Sequence, residues 1–258
     1  MAKKKILVSL IMPYFNKKLF FKESLNSALN QSFKNYEVII IYDGGDKTDL
    51  EFIKKIIKKK KFIKLVINKK NIGAGFSRNK GINIAKGKYI AFLDCDDLWK
   101  RNKLEKQIQF MKKNKSKFCH TNYYLIDENS KSYGLIKAKK ELSYSKLISS
   151  CDIGLSTVLL DKKLLLNCKF SNLKTKEDYA LWLKLAKSSI KIEGLNLNLA
   201  HWRNSKNSLS SSLIQKFLDA FRVYYFYEKK NLIYSFSCVI RLSGYALFKK
   251  INSYLRLF

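Results

Sequence analysis

Residues 88–99 constrain this chain more than any other stretch: the apolar run Tyr89-Ile-Ala-Phe-Leu93 breaks into Asp94-Cys-Asp-Asp97 and then Leu98-Trp99. A short continuous apolar run of this kind reads as a strand buried on both faces, the sort found in α/β sheets covered by helices. Ligands of such sheets gather beyond the carboxyl ends of the strands, so the acids stand where a site is expected. Grouped carboxylates repel one another unless something positive sits among them. A hard divalent cation fits that need, because Mg²⁺ or Mn²⁺ accepts one or two protein carboxylates and takes its other oxygens from water and substrate phosphates. The alternative is an Asp-rich loop that caps the helix starting near Lys103.

The first half of the chain supplies partners for that strand. Residues 6–12 form an apolar run ended by Pro13, the only proline; residues 38–42 open onto Asp43-Gly-Gly-Asp46; residues 62–67 are a third run. Between them, residues 19–31, 50–57 and 76–85 carry apolar side chains at helical spacing. Such alternation predicts an α/β fold with a mainly parallel central sheet flanked by helices. Beyond Trp99 the pattern loosens. Residues 104–111 read as a helix, 118–126 and 156–160 as strands, 177–186 as a helix with Tyr179, Trp182, Leu183 and Ala186 on one stripe, and 196–203 as extended, before the polar loop 205–212.

Hydrophobic residues make up 47% of the 258, enough for a sizeable core and against disorder. The five cysteines include no C-x-x-C pair, which points to reduced thiols and a cytoplasmic location. Met1-Ala-Lys-Lys-Lys leads into only about seven apolar residues before Pro13, too few for a signal peptide. Net charge is +32, yet only six of the 52 basic residues are arginines. Base-specific DNA readers lean on arginine forks. Scattered lysine instead implies a generic attraction to polyanions: phosphate-bearing substrates, anionic membrane or nucleic acid. A basic nucleic-acid-binding module is thus the alternative of another class, and the scarcity of arginine and the acids at strand ends argue against it.

Residues 217–258 are aromatic and nearly continuous. Within them residues 232–248, interrupted by Arg241, fall short of the ~20 apolar residues that a bilayer span needs. Lys229-Lys230 and Lys249-Lys250 flank this run, with Arg256 beyond, which predicts a helix lying on an anionic membrane surface. A helical pair packed on the domain, or on a second subunit, is the alternative.

Five motifs come in order: Pro13-Tyr-Phe-Asn16, Asp43-Gly44, Asn71-Ile-Gly-Ala-Gly-Phe-Ser-Arg-Asn-Lys-Gly81, Asp94-Cys-Asp-Asp97, and Glu177-Asp178 with Trp182. Together, over residues 5–210, they resemble the ordered motifs of family 2 glycosyltransferases of the GT-A fold. The resemblance implies a nucleotide-binding α/β catalytic domain over residues 1–210, which leaves 211–258, read from its aromatic and basic pattern, as a helical extension. It implies an inverting, Mg²⁺- or Mn²⁺-dependent transfer of a sugar from a nucleotide-sugar to a hydroxyl of a glycan or lipid-linked precursor, at the inner face of the cell membrane. Transfer to a polyprenyl phosphate is the alternative within this class.

Carried onto these residues, the resemblance has Pro13 and Phe15 line the nucleotide pocket and Asp43 accept a hydrogen bond from a uracil N–H, favouring a UDP-sugar. The family often has Asp-Asp-Gly-Ser where this chain has Tyr42-Asp-Gly-Gly45. Arg78 would lie beside the nucleotide or its diphosphate, unless it is a surface ion pair. It occupies the third glycine's place of a G-x-G-x-x-G pattern begun by Gly73 and Gly75, which argues against a dinucleotide site. Asp94 would bind the ribose or sugar side and share the metal with Asp96, while Asp97 helps to position the donor. Asp178 matches the base, with Glu177 beside it; acids at a helix start on dipole grounds are the alternative. Arg203 would close near the diphosphate. His201 would be a third metal ligand, or else a packed or surface histidine. Cys95 is a bystander in this reading.

Overall fold

The structure, a computed structural model, describes residues 5–60, 62–205 and 212–255. The N-terminal lysines 3 and 4, Lys61, Arg256 and most of the expected polar loop, with the 210/211 boundary, lie outside the described residues. The first half alternates as β1 (Val8–Tyr14), α1 (Lys18–Leu29), β2 (Tyr36–Tyr42), α2 (Lys47–Ile57), β3 (Ile63–Ile67), α3 (Ala74–Ile84) and β4 (Tyr89–Phe92). There follow β5 (Leu98–Trp99), α4 (Lys103–Lys113), β6 (Phe118–Ile126), β7 (Ser132–Ile136), β8 (Glu141–Leu142), α5 (Tyr144–Leu147), β9 (Leu159–Asp161), α6 (Glu177–Lys187), β10 (Ile192–Arg203), α7 (Leu213–Arg222) and α8 (Leu232–Leu255).

Strand side chains alternate between faces. Ile11, Ile39, Ile41, Ile90 and Phe92 face one core with Trp182; Leu10, Met12, Val38, Ile40 and Ala91 face the other with Phe21, Leu25 and Leu104. Both sets are shut off from solvent, which is why these strands read as unbroken apolar runs. The sheet order is β3-β2-β1-β4-β9-β6-β10-β5. Its first four strands are parallel, as expected, but β9 runs antiparallel to both β4 and β6, so the sheet as a whole is mixed.

Strand lengths open a notch at the site. β4 pairs with β1 only from Val8 to Ile11, and β1 continues to Tyr14 beside β2 alone. Leu93 N–H donates to Ile11 O and the Cys95 thiol to Pro13 O, so these two residues direct their backbone toward β4. The N–H that Pro13 lacks therefore falls on the side where β4 has already ended, and a central strand tolerates the proline there.

The stripe expected on α6 is real: Trp182 packs edge-on against Phe118 at 4.9 Å and near Phe170 at 6.2 Å, and Phe170 meets Phe92 at 5.3 Å. The C-terminal extension is two helices joined by a π-helical turn, Val223–Tyr227. Its inner residues Ala220, Val223, Tyr224, Cys238, Val239 and Leu242 belong to the same core as Ile11 and Trp182. One expectation needs correction here: Lys249, assigned to a membrane-facing flank, turns inward to Cys151 O at 2.9 Å and Asp152 at 3.5 Å. The Asp152 carboxylate is buried and needs cations, and Lys139 at 2.8 Å supplies another. Among the described residues no helix is long and apolar enough to cross a membrane.

Candidate active site

The Asp-rich loop leaves β4 at the notch and splits its carboxylates by direction. Asp97 is buried: its Oδ2 accepts from Ser156 Oγ at 2.5 Å and its Oδ1 from the Arg203 backbone N–H at 2.9 Å. Burial pushes its carboxyl well above the ordinary range, with Asp96 and Asp94 adding to it. Arg203 itself is buried, giving Nε to Asp96 O, Nη1 to Asp127 O, Glu128 O and Ser130 Oγ, and Nη2 to Glu23 at 2.7 Å, with its guanidinium over the Phe20 ring. Asp97 and Arg203, expected at the donor, thus spend their polar atoms tying β10 to the Asp loop.

Asp94 and Asp96 are the outward pair. Asp96 meets Lys17 Nζ at 2.8 Å, and burial raises its carboxyl pKa while that lysine opposes the rise. Asp94 receives Arg78 Nη2 at 2.7 Å, and its backbone N–H donates to Ser156 Oγ. Arg78 also gives Nη1 to Glu177 at 2.5 Å. It is buried at 3% exposure, neither a surface pair nor an arm open to solvent, and it bridges the Asp loop to the start of α6. Burial raises the Glu177 pKa to about 7, against the pull of Arg78. Asp178 lies close enough to feel Arg78, Lys176 and Asp94, and burial likewise raises its pKa. The structure thus gathers Asp94, Arg78, Glu177 and Asp178, residues far apart in sequence.

Close packing makes this meeting feasible. A Cβ on Gly75 would come within 2.5 Å of Ser171 O and 3.3 Å of Glu177 Cγ, so only glycine lets α3 approach the segment that leads into α6. Asp43, buried, accepts from Asn68 Nδ2 and Ile72 N–H on Oδ1 and from Gly73 N–H on Oδ2. It fastens the 68–73 loop to the end of β2, and with about four lone-pair directions on a carboxylate, Oδ2 retains acceptor capacity. Phe15 is 37% exposed at the end of β1, close to Gly45.

The hard oxygens of Asp94 and Asp96 suit Mg²⁺ or Mn²⁺ when a diphosphate completes the shell. Among the described residues no three His, Cys, Asp or Glu side chains are grouped to hold an ion unaided. His201 in particular does not join the aspartates: its ring stacks on Tyr124 at 5.4 Å, and burial lowers its pKa to about 4. The packed histidine is what the structure has.

Several contributors carry no sequence signal. Lys17, Glu23, Asn68 and Ser156 are common residues at unremarkable spacing, chosen by distant contacts: Glu23 meets Arg203 180 residues on, and Ser156 meets Asp97 59 residues back. Cys95 is no bystander, since its buried thiol fastens the Asp loop to Pro13.

Known proteins resemble this chain in sequence and in fold. The profile described as Glycosyl transferase family 2 matches residues 9–167. The chain is 32% identical over 248 residues to "Putative teichuronic acid biosynthesis glycosyltransferase TuaG" of Bacillus subtilis, covering 96% of this chain and 98% of that one. It is 38% identical over 208 residues, 80% of each chain, to "UDP-Glc:alpha-D-GlcNAc-diphosphoundecaprenol beta-1,3-glucosyltransferase WfgD" of Escherichia coli. Among solved structures, S. aureus TarS 1-349 in complex with UDP-GlcNAc superposes with a TM-score of 0.70 at 19% identity, over 90% of this chain and 70% of that one. The mannosyltransferase PcManGT from Pyrobaculum calidifontis, in complex with GDP-Man and Mn2+, gives 0.66 at 13% identity, over 89% and 66%. The fold is therefore that of the GT-A enzymes, and the chain belongs to glycosyl transferase family 2.

Proposed function

We propose that this glycosyltransferase moves a sugar, with inversion, from a UDP-sugar to a hydroxyl of a lipid-linked glycan precursor while resting on the inner face of the membrane. The observation that carries this reading is the convergence of Asp94, Arg78, Glu177 and Asp178 at the notch beyond β4. The names of the Escherichia coli relatives, which specify UDP-Glc and a diphosphoundecaprenol acceptor, favour the donor and acceptor classes.

In this reading the Asp178 carboxylate accepts the proton of the acceptor hydroxyl as that oxygen bonds to the anomeric carbon. The bond from that carbon to the donor's phosphate oxygen breaks on the opposite face, and UDP leaves with the electron pair. Burial raises the pKa of Asp178 and so makes it a better proton acceptor. Asp96 and Asp94 would hold Mg²⁺ or Mn²⁺, which supplies charge neutralisation at the leaving diphosphate. Arg78 keeps Asp94 and Glu177 in place, Asp97 and Arg203 brace the loop from behind, and Asp43 meets the base through Oδ2, with Phe15 and Pro13 beside it. The exposed outer face of α7 and α8, with Lys229 and Lys230, rests on anionic lipid.

The test is a thermal-shift screen of nucleotide-sugars with Mn²⁺ present. A UDP-sugar at 100 times its Kd stabilises by about 2.7 kcal/mol. Stabilisation by GDP- or CMP-sugars alone refutes the use of Asp43, and transfer that survives both chelation and Asp96→Asn refutes the metal role.

A further inference from the structure

The turn that presents Glu177 and Asp178 is held from outside its own helix. α6 has no side-chain cap: its N-cap residue is Lys176, with φ +67°, in the left-handed region that side chains other than glycine, Asn and Asp seldom adopt. What fixes the chain just before it is Asp219, on α7, which is fully buried. Its Oδ2 accepts from the Thr175 backbone N–H at 2.9 Å, from Thr175 Oγ1 at 3.0 Å and from Gln215 Nε2 at 2.8 Å, while Oδ1 accepts from Arg222 Nη1 at 2.9 Å. Burial alone would raise this carboxyl; the hydrogen bonds from Gln215, Thr175 and Arg222 outweigh it and hold the group below its ordinary range, as a charged anchor. One turn along, Tyr224 of the π-helical segment meets Tyr179 OH at 3.0 Å, and both hydroxyls donate to the carbonyls of Leu147 and Ile148. On the other side Arg78 of α3 grips Glu177. Residues 175–179 are therefore clamped between α3 and the C-terminal extension.

We propose that Asp219 is a positioning residue for Asp178: it fixes the Thr175–Lys176 turn in the left-handed conformation that aims the carboxylate at the acceptor hydroxyl. The inference rests on the reading of Asp178 as the base. Without the anchor, Lys176 relaxes toward an ordinary φ and the first turn of α6 shifts. A misplacement of about 1 Å at reacting groups costs about 10²-fold. In the proposed reading the donor is held through Asp43, Asp94 and Asp96, none of which bonds to Thr175 or Lys176, so its affinity stays.

A double-mutant cycle decides the matter, because residues that act through one another are not additive. Asp219→Ala and Thr175→Val are each made in the parent and in Asp178→Asn, and kcat, KM for the acceptor and donor Kd are measured. We expect Asp219→Ala to lower kcat roughly tenfold to a hundredfold in the parent, with donor Kd unchanged, and to have no further effect on kcat once Asp178 is Asn. Thr175→Val, which keeps the backbone bond, follows the same pattern with a smaller loss, and it carries the cycle if Asp219→Ala does not fold. Equal losses in both backgrounds, or a parallel loss of donor affinity, overturn the role of Asp219 alone. Near-parent transfer by Asp178→Asn by itself overturns the reading of Asp178, and this inference with it.

Discussion

In β1, β2 and β4 the large apolar side chains are sealed from water and what faces the notch is charged, whereas the outer face of α7 and α8 does the reverse. There Leu213 is 77% exposed, Ile233 83%, Ile240 68% and Leu247 62%. The same extension buries Tyr224, Cys238, Val239 and Leu242 on its inner side. One region is specified by its own interior; the other is half specified by the domain it packs on and leaves its second face exposed. The carboxylate site and the exposed apolar face thus lie on different surfaces, joined by a few buried polar contacts.

That division is tested most severely at Asp178. Asp178→Asn retains shape and hydrogen bonding but takes no proton, so transfer falls by about 10² to 10⁴-fold, with donor affinity by calorimetry and vesicle binding both at parent level. A loss of vesicle binding alongside would show that the two surfaces are not separate. Next comes Asp97→Ala, which leaves the Ser156 hydroxyl and the Arg203 N–H without their acceptor. Urea unfolding should show a loss of about 2–4 kcal/mol; an unchanged midpoint would mean that the brace is dispensable.

A third prediction concerns the joint between the regions. His120 is fully buried beside the Asp152, Lys139 and Lys249 cluster that fastens α8, and burial lowers its pKa from 6.5 to about 4. The unfolded chain takes up a proton below 6.5 while the folded one refuses it, so stability present above pH 6.5 is lost as pH falls toward 4. The loss amounts to at most about 3 kcal/mol, and His120→Leu should flatten this part of the stability profile. The smallest effect is expected on the outer face. Ile233→Ser with Ile240→Ser should change stability by less than about 0.5 kcal/mol per site, yet weaken binding to anionic vesicles about tenfold. Vesicle binding unchanged by the two substitutions would point to a protein partner instead.

Much of the sheet was legible because strands buried on both faces are written as unbroken apolar runs, and the Asp loop because packing alone gives no reason to end such a run in three carboxylates. What stayed hidden was whatever depends on partners distant in the chain. Nothing near Arg78 in sequence announces that Glu177, 99 residues on, will share it with Asp94. Asp43 was legible as a strand-end acid but not as the anchor of residues 72 and 73, because backbone donors look alike in every sequence. β7 and β8 were missed since short, partly polar edge segments leave no period to read. Lys249 misled for a related reason: a lysine beside an apolar run looks the same whether it faces phosphate or a buried aspartate.

The uncovered face of α8 also makes this protein an unusual colloid. In dilute solution its apolar side chains are kept from those of a neighbouring molecule chiefly by mutual repulsion, and a formal charge of +32 makes that repulsion large. Its reach is the Debye length, about 10 Å at 0.1 M salt and only about 3 Å at 1 M. High salt is the ordinary remedy for stripping a basic protein of nucleic acid, and here it removes the barrier that holds the particles apart. Dilute buffer should keep the purified chain dispersed, and added salt should draw it together, the opposite of what its composition alone would lead one to plan for.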